Sequence, residues 1–236
     1  MHPAQDDLLA ALDESLPQLQ ERDIVLITSK VVAIHQGRCV PIKDIPDKDK
    51  LIEQEADAFL SRDMCPDRMI MLTLKQNTLI ATAGIDESNV NGYYILWPTD
   101  IQKTAKILWD HLRTKHNIQN LGIIITDSHS VPLRLGVLGI AIGFFGFEPL
   151  LNHRGKSDLF GRIIGWSQTN IPDSLAAAAV LVMGESNEQT PVAVARDIPN
   201  ITFTDRDCYQ QWIIEREKDI YAPLLHVFNK SSKKMP

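Results

Sequence analysis

Three carboxylates in this chain stand in settings suited to cation and phosphate chemistry. Asp86 lies in Ile80-Ala-Thr-Ala-Gly-Ile-Asp-Glu-Ser-Asn-Val-Asn-Gly92, where a short strand of small residues, Leu79 to Ala83, runs into a turn crowded with oxygen donors at Asp86, Glu87, Ser88 and Asn89. Gly84 permits close backbone approach just before that turn. Asp127 ends the apolar strand Leu121-Gly-Ile-Ile-Ile-Thr-Asp127, and Glu185 follows Met183-Gly184 at the end of an alanine-rich helix. Taken singly, an Asp after a strand is commonly a turn former or a helix N-cap. The repeated context is more specific: an element end, small residues, a carboxylate, then a hydroxyl or amide at Ser128, Asn89, Ser186 or Asn187. Hard divalent cations take such oxygen sets. The pattern predicts that the three acids meet around divalent metal and nucleotide phosphate.

The elements that must position them can be read from periodicity and turn residues. Gln5 to Leu16 has helical spacing of Leu8, Leu9, Leu12 and Leu16, and Asp23 to Thr28 reads as a strand. Ser29-Lys30 follows at that strand's exit, with Lys30 either a phosphate contact or an exposed lysine opening the next strand. Val31 to Ile34 reads as a second strand, returning through Cys39 to Ile42, and Lys48 to Leu60 as a helix. Met69 to Leu74 and Thr78 to Ala83 form a hairpin around Lys75-Gln-Asn77, and Tyr93 to Trp97 is a strand stopped by Pro98. The longest helix runs from Thr99 or Asp100 to His116, with His111 and His116 on its surface. Val137 to Gly143 reads as a central strand with close backbone neighbours, and Ile163 to Thr169 as a further strand. Pro172 and Asp173 open a buried helix, Ser174 to Met183, that Gly184 ends; the strand Pro191 to Ala195 and a partly helical segment, Trp212 to Val227, complete the chain.

The chain has 236 residues, 44% hydrophobic and 23% charged, an ordinary globular balance. A formal charge of −6, with no basic block before the tail Lys230 to Lys234, argues against nucleic-acid binding. That tail reads as a solvated terminus. Cys39, Cys65 and Cys208 form no CxxC pair, so neither a disulfide framework nor a zinc site is indicated, and no apolar run reaches the ~18 residues of a membrane span. A cytoplasmic protein that engages neither nucleic acid nor membrane is expected. Neither GxGxxG nor GxxxxGK[ST] occurs, so a bound nucleotide would need some other phosphate cradle. Without a flexible linker or a repeat, the expected architecture is a single domain over residues 1–236 of the α+β class.

Several motifs occur together and in order: Ala83-Gly-Ile-Asp-Glu-Ser-Asn89, Ile125-Thr-Asp-Ser128, Pro132-Leu-Arg134 with Gly136, Asp158-Leu-Phe-Gly-Arg162, and Ala176-Ala-Ala-Ala-Val-Leu-Val-Met-Gly-Glu185. With them the sequence resembles the coenzyme F-420:gamma-glutamyl ligase family. Tyr93-Tyr-Ile-Leu-Trp-Pro98, Asn187-Glu-Gln-Thr-Pro191 and Tyr221-Ala-Pro-Leu-Leu225 make it look closest to the branch of folate-metabolism gamma-glutamate ligases. The resemblance implies a homodimer of the gamma-glutamyl ligase fold, with mixed and antiparallel sheets and packed helices. It implies an enzyme that uses GTP or ATP to join L-glutamate through a gamma-amide bond to a pterin-like, folate-like or deazaflavin acceptor. It also implies metal ligation, by two Mg²⁺ or Mn²⁺ ions, at Asp86, Asp127, Ser128 and Glu185, and nucleotide contact at Ser29, Lys30, Asn89 and the segment Met183, Gly184, Ser186, Asn187, Glu188, Gln189 and Thr190.

The chemistry accounts for these residue types independently. A carboxylate is a poor electrophile, so amide formation proceeds through an acyl phosphate, and the charge gathered on triphosphate and acceptor must be neutralised. Asp127 and Arg134 are the expected catalytic residues. Arg134 and Arg162 offer planar forks for phosphate or carboxylate, or equally for a structural ion pair, and His129 is expected beside the site or exposed rather than as a ligand. Two departures from the family pattern stand out. Family members begin with a strand and a glycine-containing loop, which this chain, starting at Met1-His-Pro-Ala, is expected to lack; and Ala33-Ile-His-Gln36 precedes Gly37-Arg38 where the F-420 branch carries Ser-Lys. A catalytically inactive nucleotide- or folate-binding homologue is the alternative reading.

Overall fold

The computed structural model describes residues 1–230, and the remainder of the basic tail lies outside the described residues. Helix α1 (Leu8–Ser15) is capped by the Asp7 carboxylate on the Leu9 and Ala10 amides and leads to strand β1 (Ile24–Thr28). Helix α2 (Ser29–His35) follows at once, then β2 (Cys39–Pro41), α3 (Lys48–Glu55), β3 (Ala58–Phe59), β4 (Leu72–Lys75), β5 (Thr78–Ala81) and β6 (Tyr93–Ile95). Helix α4 (Ile101–His116) precedes β7 (Gly122–Ser130), β8 (Val137–Phe145), β9 (Leu150–Asn152) and β10 (Gln168–Asn170). Helix α5 (Ile171–Met183), β11 (Val192–Ala195), α6 (Ala222–Leu225) and β12 (Asn229–Lys230) complete the described order.

The principal sheet has the order β11-β1-β7-β8, with β1 and β7 parallel and the outer pairs antiparallel. Residues 24–27 of β1 and 122–125 of β7 are apolar and buried at every position because both faces are covered there, and the polar end of β7 begins at Thr126. Val25, Ile27, Ile123 and Ile125 pack toward Leu8, Leu12 and the inner side of α4, while Ile24, Leu26 and Ile124 pack toward α5 and Phe147. Burying each such side chain contributes on the order of 1.5–3 kcal/mol. The second sheet, β12-β3-β4-β5, carries the hairpin that delivers the acidic turn, and β2 pairs with β6 beside it. These mixed and antiparallel sheets with packed helices form the expected α+β architecture. Among the described residues no helix is long and apolar enough to cross a membrane.

Several local expectations are corrected. Val31 to Ile34 belongs to α2, not to a strand: all four residues are buried, so a β-branched run carries no periodicity to distinguish the two states. Helix α3 stops at Glu55, and Ala58–Phe59 pairs with β4 instead of extending the helix. Strand β8 is an edge strand of the principal sheet, and the close neighbours of its glycines are helices: Gly139 faces the Ala176 carbonyl, and Gly143 faces Ile101. Helix α5 starts earlier than Ser174, capped by Asn170, and its Leu181 and Val182 are exposed. Of the strand expected from Ile163 to Thr169, only Gln168 and Thr169 belong to a strand, β10, while Ile163 makes an isolated bridge to Ser157. His116 is half-buried and accepts the Leu19 amide through Nδ1, while half-buried His111 meets Asp13 at 2.8 Å.

Candidate active site

An open cleft of about 810 Å³ lies where the end of β1, the acidic turn after β5, the middle of β7 and the loop after α5 approach one another. Asp86, Asp127, Ser128 and Glu185 all line it, as do Ser29, Lys30, Asn89, His129 and the whole of Met183 to Thr190. Segments as far apart in the chain as Ser29 and Thr190 are thus brought together. Arg134 is not among the lining residues. It is exposed on the β7–β8 connection, its guanidinium donates to the carbonyl of its own neighbour Leu133 at 3.0 Å, and it does not reach the cleft. Arg162 is likewise exposed and outside the lining.

The acidic turn is built by left-handed backbone. Thr82, Ala83 and Gly84 have φ of 52°, 54° and 70°, conformations that cost free energy in residues with a Cβ. Buried Thr73 on β4 holds the turn: its hydroxyl donates to the Ile80 carbonyl at 2.6 Å and accepts the Ala83 amide at 2.9 Å. Asp86 exchanges backbone hydrogen bonds with Ile95, so β6 fixes the start of the turn. The Asp86 carboxylate accepts the Ser88 amide and hydroxyl on Oδ1 and forms a 2.6 Å ion pair with Lys30 through Oδ2. Burial pushes its pKa up, but the Lys30 ammonium and the Ser88 donors outweigh that, and it lies below the ordinary carboxylate value. Lys30 is the second residue of α2, so the helix aims it across the cleft. A strand here would alternate Ser29 and Lys30 to opposite faces.

Asp127 does not end its strand. Strand β7 continues to Ser130, and a bulge between Ile125 and Thr126 re-registers it against β8, so Asp127 projects into the cleft from paired backbone. Its Oδ1 accepts the Ser128 amide at 2.8 Å, and its Oδ2 accepts the indole N–H of Trp97. Burial raises its pKa from 3.8 to about 6, with the Asp86 charge adding to the shift and donors from Ser128, Trp97 and Ser29 opposing it. Glu185 is also raised, first by burial and further by Asp86 and Glu188, against a hydrogen bond with Ser128 and the charge of Lys30. His129 is lowered by burial, with the Asp173 charge opposing.

The loop after α5 is stitched to the acidic turn by the Asn89 side chain, which donates to the Ser186 carbonyl at 2.7 Å. Within that loop the Ser186 amide donates to Glu188 at 2.8 Å, and the Thr190 hydroxyl returns to the Met183 carbonyl. Gly184 stands at φ 85°, a conformation that favours glycine, and a Cβ there would displace the Glu188 side chain.

The donor set suits a hard cation: the Asp86 charge raises both Asp127 and Glu185, the Ser128 side chain bonds Glu185, and the Lys30 ammonium is counter-charge to Asp86. As the side chains lie, no three carboxylate, imidazole or thiol groups among the described residues stand close enough to enclose an ion. Lys30 holds Asp86, and Trp97 holds Asp127. Trp97 and Thr73 are the residues that sequence reasoning missed. The available signals were an indole N–H, which needs an acceptor when buried, and a Thr facing the small-residue strand that ends in the turn.

A family-wide profile for F420-0:Gamma-glutamyl ligase matches residues 3–197. The chain is 32% identical over 232 residues to the coenzyme F420:L-glutamate ligase of Methanosarcina barkeri, covering 92% of this chain and 86% of that protein. It is 33% identical over 210 residues to the enzyme of the same name from Methanopyrus kandleri, covering 82% and 81%. Against that from Haloarcula marismortui it is 32% identical over 242 residues, covering 93% and 91%. The chain therefore belongs to the F420-0:gamma-glutamyl ligase family and is an enzyme of the ligase class.

Proposed function

We propose that this enzyme couples nucleoside-triphosphate hydrolysis to the addition of L-glutamate, through a gamma-glutamyl amide bond, to an acceptor of deazaflavin or folate-like type. The observation that carries the proposal is the convergence of Asp86, Asp127, Ser128 and Glu185, from three distant segments, on one cleft that also holds Ser29, Lys30 and the 183–190 loop. The reaction has two steps. An oxygen of the acceptor carboxylate attacks the γ-phosphorus of GTP or ATP, releasing the nucleoside diphosphate and leaving an acyl phosphate. The amino group of L-glutamate then attacks the acyl carbon, expelling phosphate and giving up a proton as the amide forms.

The chain's own residues position and screen these charges. Lys30 supplies a fixed ammonium for phosphate oxygens, and the backbone of the 184–190 loop with Asn89 would seat the nucleotide. Asp86, Asp127, Glu185 and the Ser128 hydroxyl would hold Mg²⁺ or Mn²⁺, and these ions when bound would offset the charge on the β- and γ-phosphates. In this reading Lys30 exchanges Asp86 for phosphate as the ion enters.

A homodimer is part of the reading. Leu133, Leu135, Leu159, Phe160, Trp166 and Leu181 are 84–104% exposed, an apolar display that a second copy would cover. Arg134 and Arg162 lie on the same segments, so any role of theirs in catalysis belongs to the dimer.

The test is incubation with labelled L-glutamate, GTP or ATP, Mg²⁺ or Mn²⁺, and a panel of deazaflavin and folate acceptors. A product heavier by one glutamyl unit, formed in step with nucleoside diphosphate, is expected. Ligand binding with no such product from any acceptor would favour the inactive homologue.

A further inference from the structure

Trp97 is 2% exposed, yet its ring forms part of the cleft floor between the acidic turn and β7. Its indole N–H donates to Asp127 Oδ2. Every other side of the residue is also engaged. Its ring lies where a side chain at position 84 would stand, so only glycine there, at φ 70°, lets the acidic turn close over it. Its carbonyl accepts Arg38 Nε at 3.1 Å, and the Lys75 ammonium stands 5.8 Å from its ring centroid. Arg38 and Lys75 are tied in turn to a single carboxylate, Glu55, at 2.8 and 2.7 Å. A large side chain held at its carbonyl, its ring and its N–H has little freedom to swing.

From this geometry we infer that Trp97 is a positioning residue for Asp127: its N–H fixes which carboxylate oxygen faces the cleft, and its ring ties the Asp127 strand to the turn bearing Asp86. The inference rests on the ligase reading of the cleft. A carboxylate has about four acceptor directions, and an oxygen that accepts the indole N–H presents its remaining lone pairs in a set direction. Without the N–H, Asp127 can rotate, and the distance between the two acidic walls is no longer held. Partners that orient a ligand in this way change metal affinity or activity by about 10–100-fold when removed.

Trp97→Phe keeps the ring and removes the donor. Expected are a cooperative melt, a Mn²⁺ dissociation constant weakened about 10–100-fold in calorimetry, and a reduced kcat with acceptor KM little changed. A folded variant that binds Mn²⁺ and turns over like wild type overturns the inference. A second measurement needs only the unaltered Trp97. The indole ¹H–¹⁵N resonance that moves in Asp127→Asn should also move when wild type is titrated with Mg²⁺, and a stationary resonance overturns the inference even if Trp97→Phe fails to fold. A wild-type protein that neither binds Mn²⁺ nor forms a glutamyl product overturns the ligase reading and this inference with it. Wild-type activity lost in Asp127→Asn but intact in Trp97→Phe overturns this inference alone.

Discussion

Replacing Asp127 by Asn should separate the stability of the fold from the demands of the cleft. The Asp127 carboxyl is raised from 3.8 to about 6 by burial and by the neighbouring Asp86 charge. A displacement of that size corresponds to about 3 kcal/mol, an upper bound because the carboxylate keeps some contact with water in the open cleft. The sign follows from proton binding: the folded state holds this proton more tightly than the unfolded state. The contribution is therefore fully present below 3.8 and is lost as pH rises through about 6. Asn does not titrate. It also presents an NH₂ where Asp127 accepts donors from Trp97, Ser29 and Ser128, which costs about 1–3 kcal/mol at every pH. The stability of Asp127→Asn relative to wild type should therefore be negative in acid and climb by up to about 3 kcal/mol between about pH 4 and 7. That corresponds to roughly 6–12 °C in the difference of melting temperatures. Urea denaturation in a chelating buffer, at closely spaced pH values, measures the climb. A difference that stays flat across that range would refute the account of Asp127 as an under-solvated carboxylate.

Further expectations follow from other residues. Lys30→Met removes the ammonium on Asp86 and should tighten Mn²⁺ binding in the absence of nucleotide while lowering turnover at least about tenfold; calorimetry and product assay should diverge in that sense. Gly84→Ala should destabilise by about 2–4 kcal/mol in urea titration, because it adds a Cβ at positive φ against the Trp97 ring. The proposed homodimer predicts a dimeric wild type by light scattering and a monomer for Leu135→Glu together with Phe160→Glu, since both side chains are almost fully exposed in the single chain. An unchanged dimer would place the interface elsewhere.

Much of the cleft was legible because the residues that carry it are of types with narrow uses. Asp86, Asp127 and Glu185 stood out by position, and the hairpin around Gln76-Asn77 by two residues suited to positive φ, which they have at 48° and 59°. Three features lay beyond local reading. Val31 to Ile34 has strand-like residues, but packing on all sides made it a helix, and only as a helix does it aim Lys30 at Asp86. The continuation of β7 past Asp127 depends on its pairing with β8, a long-range event that a polar Ser128-His-Ser130 does not announce. Trp97 read as the end of a strand because its partner lies thirty residues away. Arg134 shows the converse: a residue type suited to phosphate, placed by the fold outside the cleft.

Asp127 and Ser128 ride on a laddered strand, whereas Asp86 and Glu185 sit on connections that meet through one amide, Asn89 to Ser186. One wall of the cleft is thus an anvil and the opposing rim is hinged to it at few points. Adjustment to cargo of differing bulk then falls to the rim. In hydrogen exchange, the amides of 122–128 should look the same empty or loaded, while those of 184–190 should slow only when something sits between them.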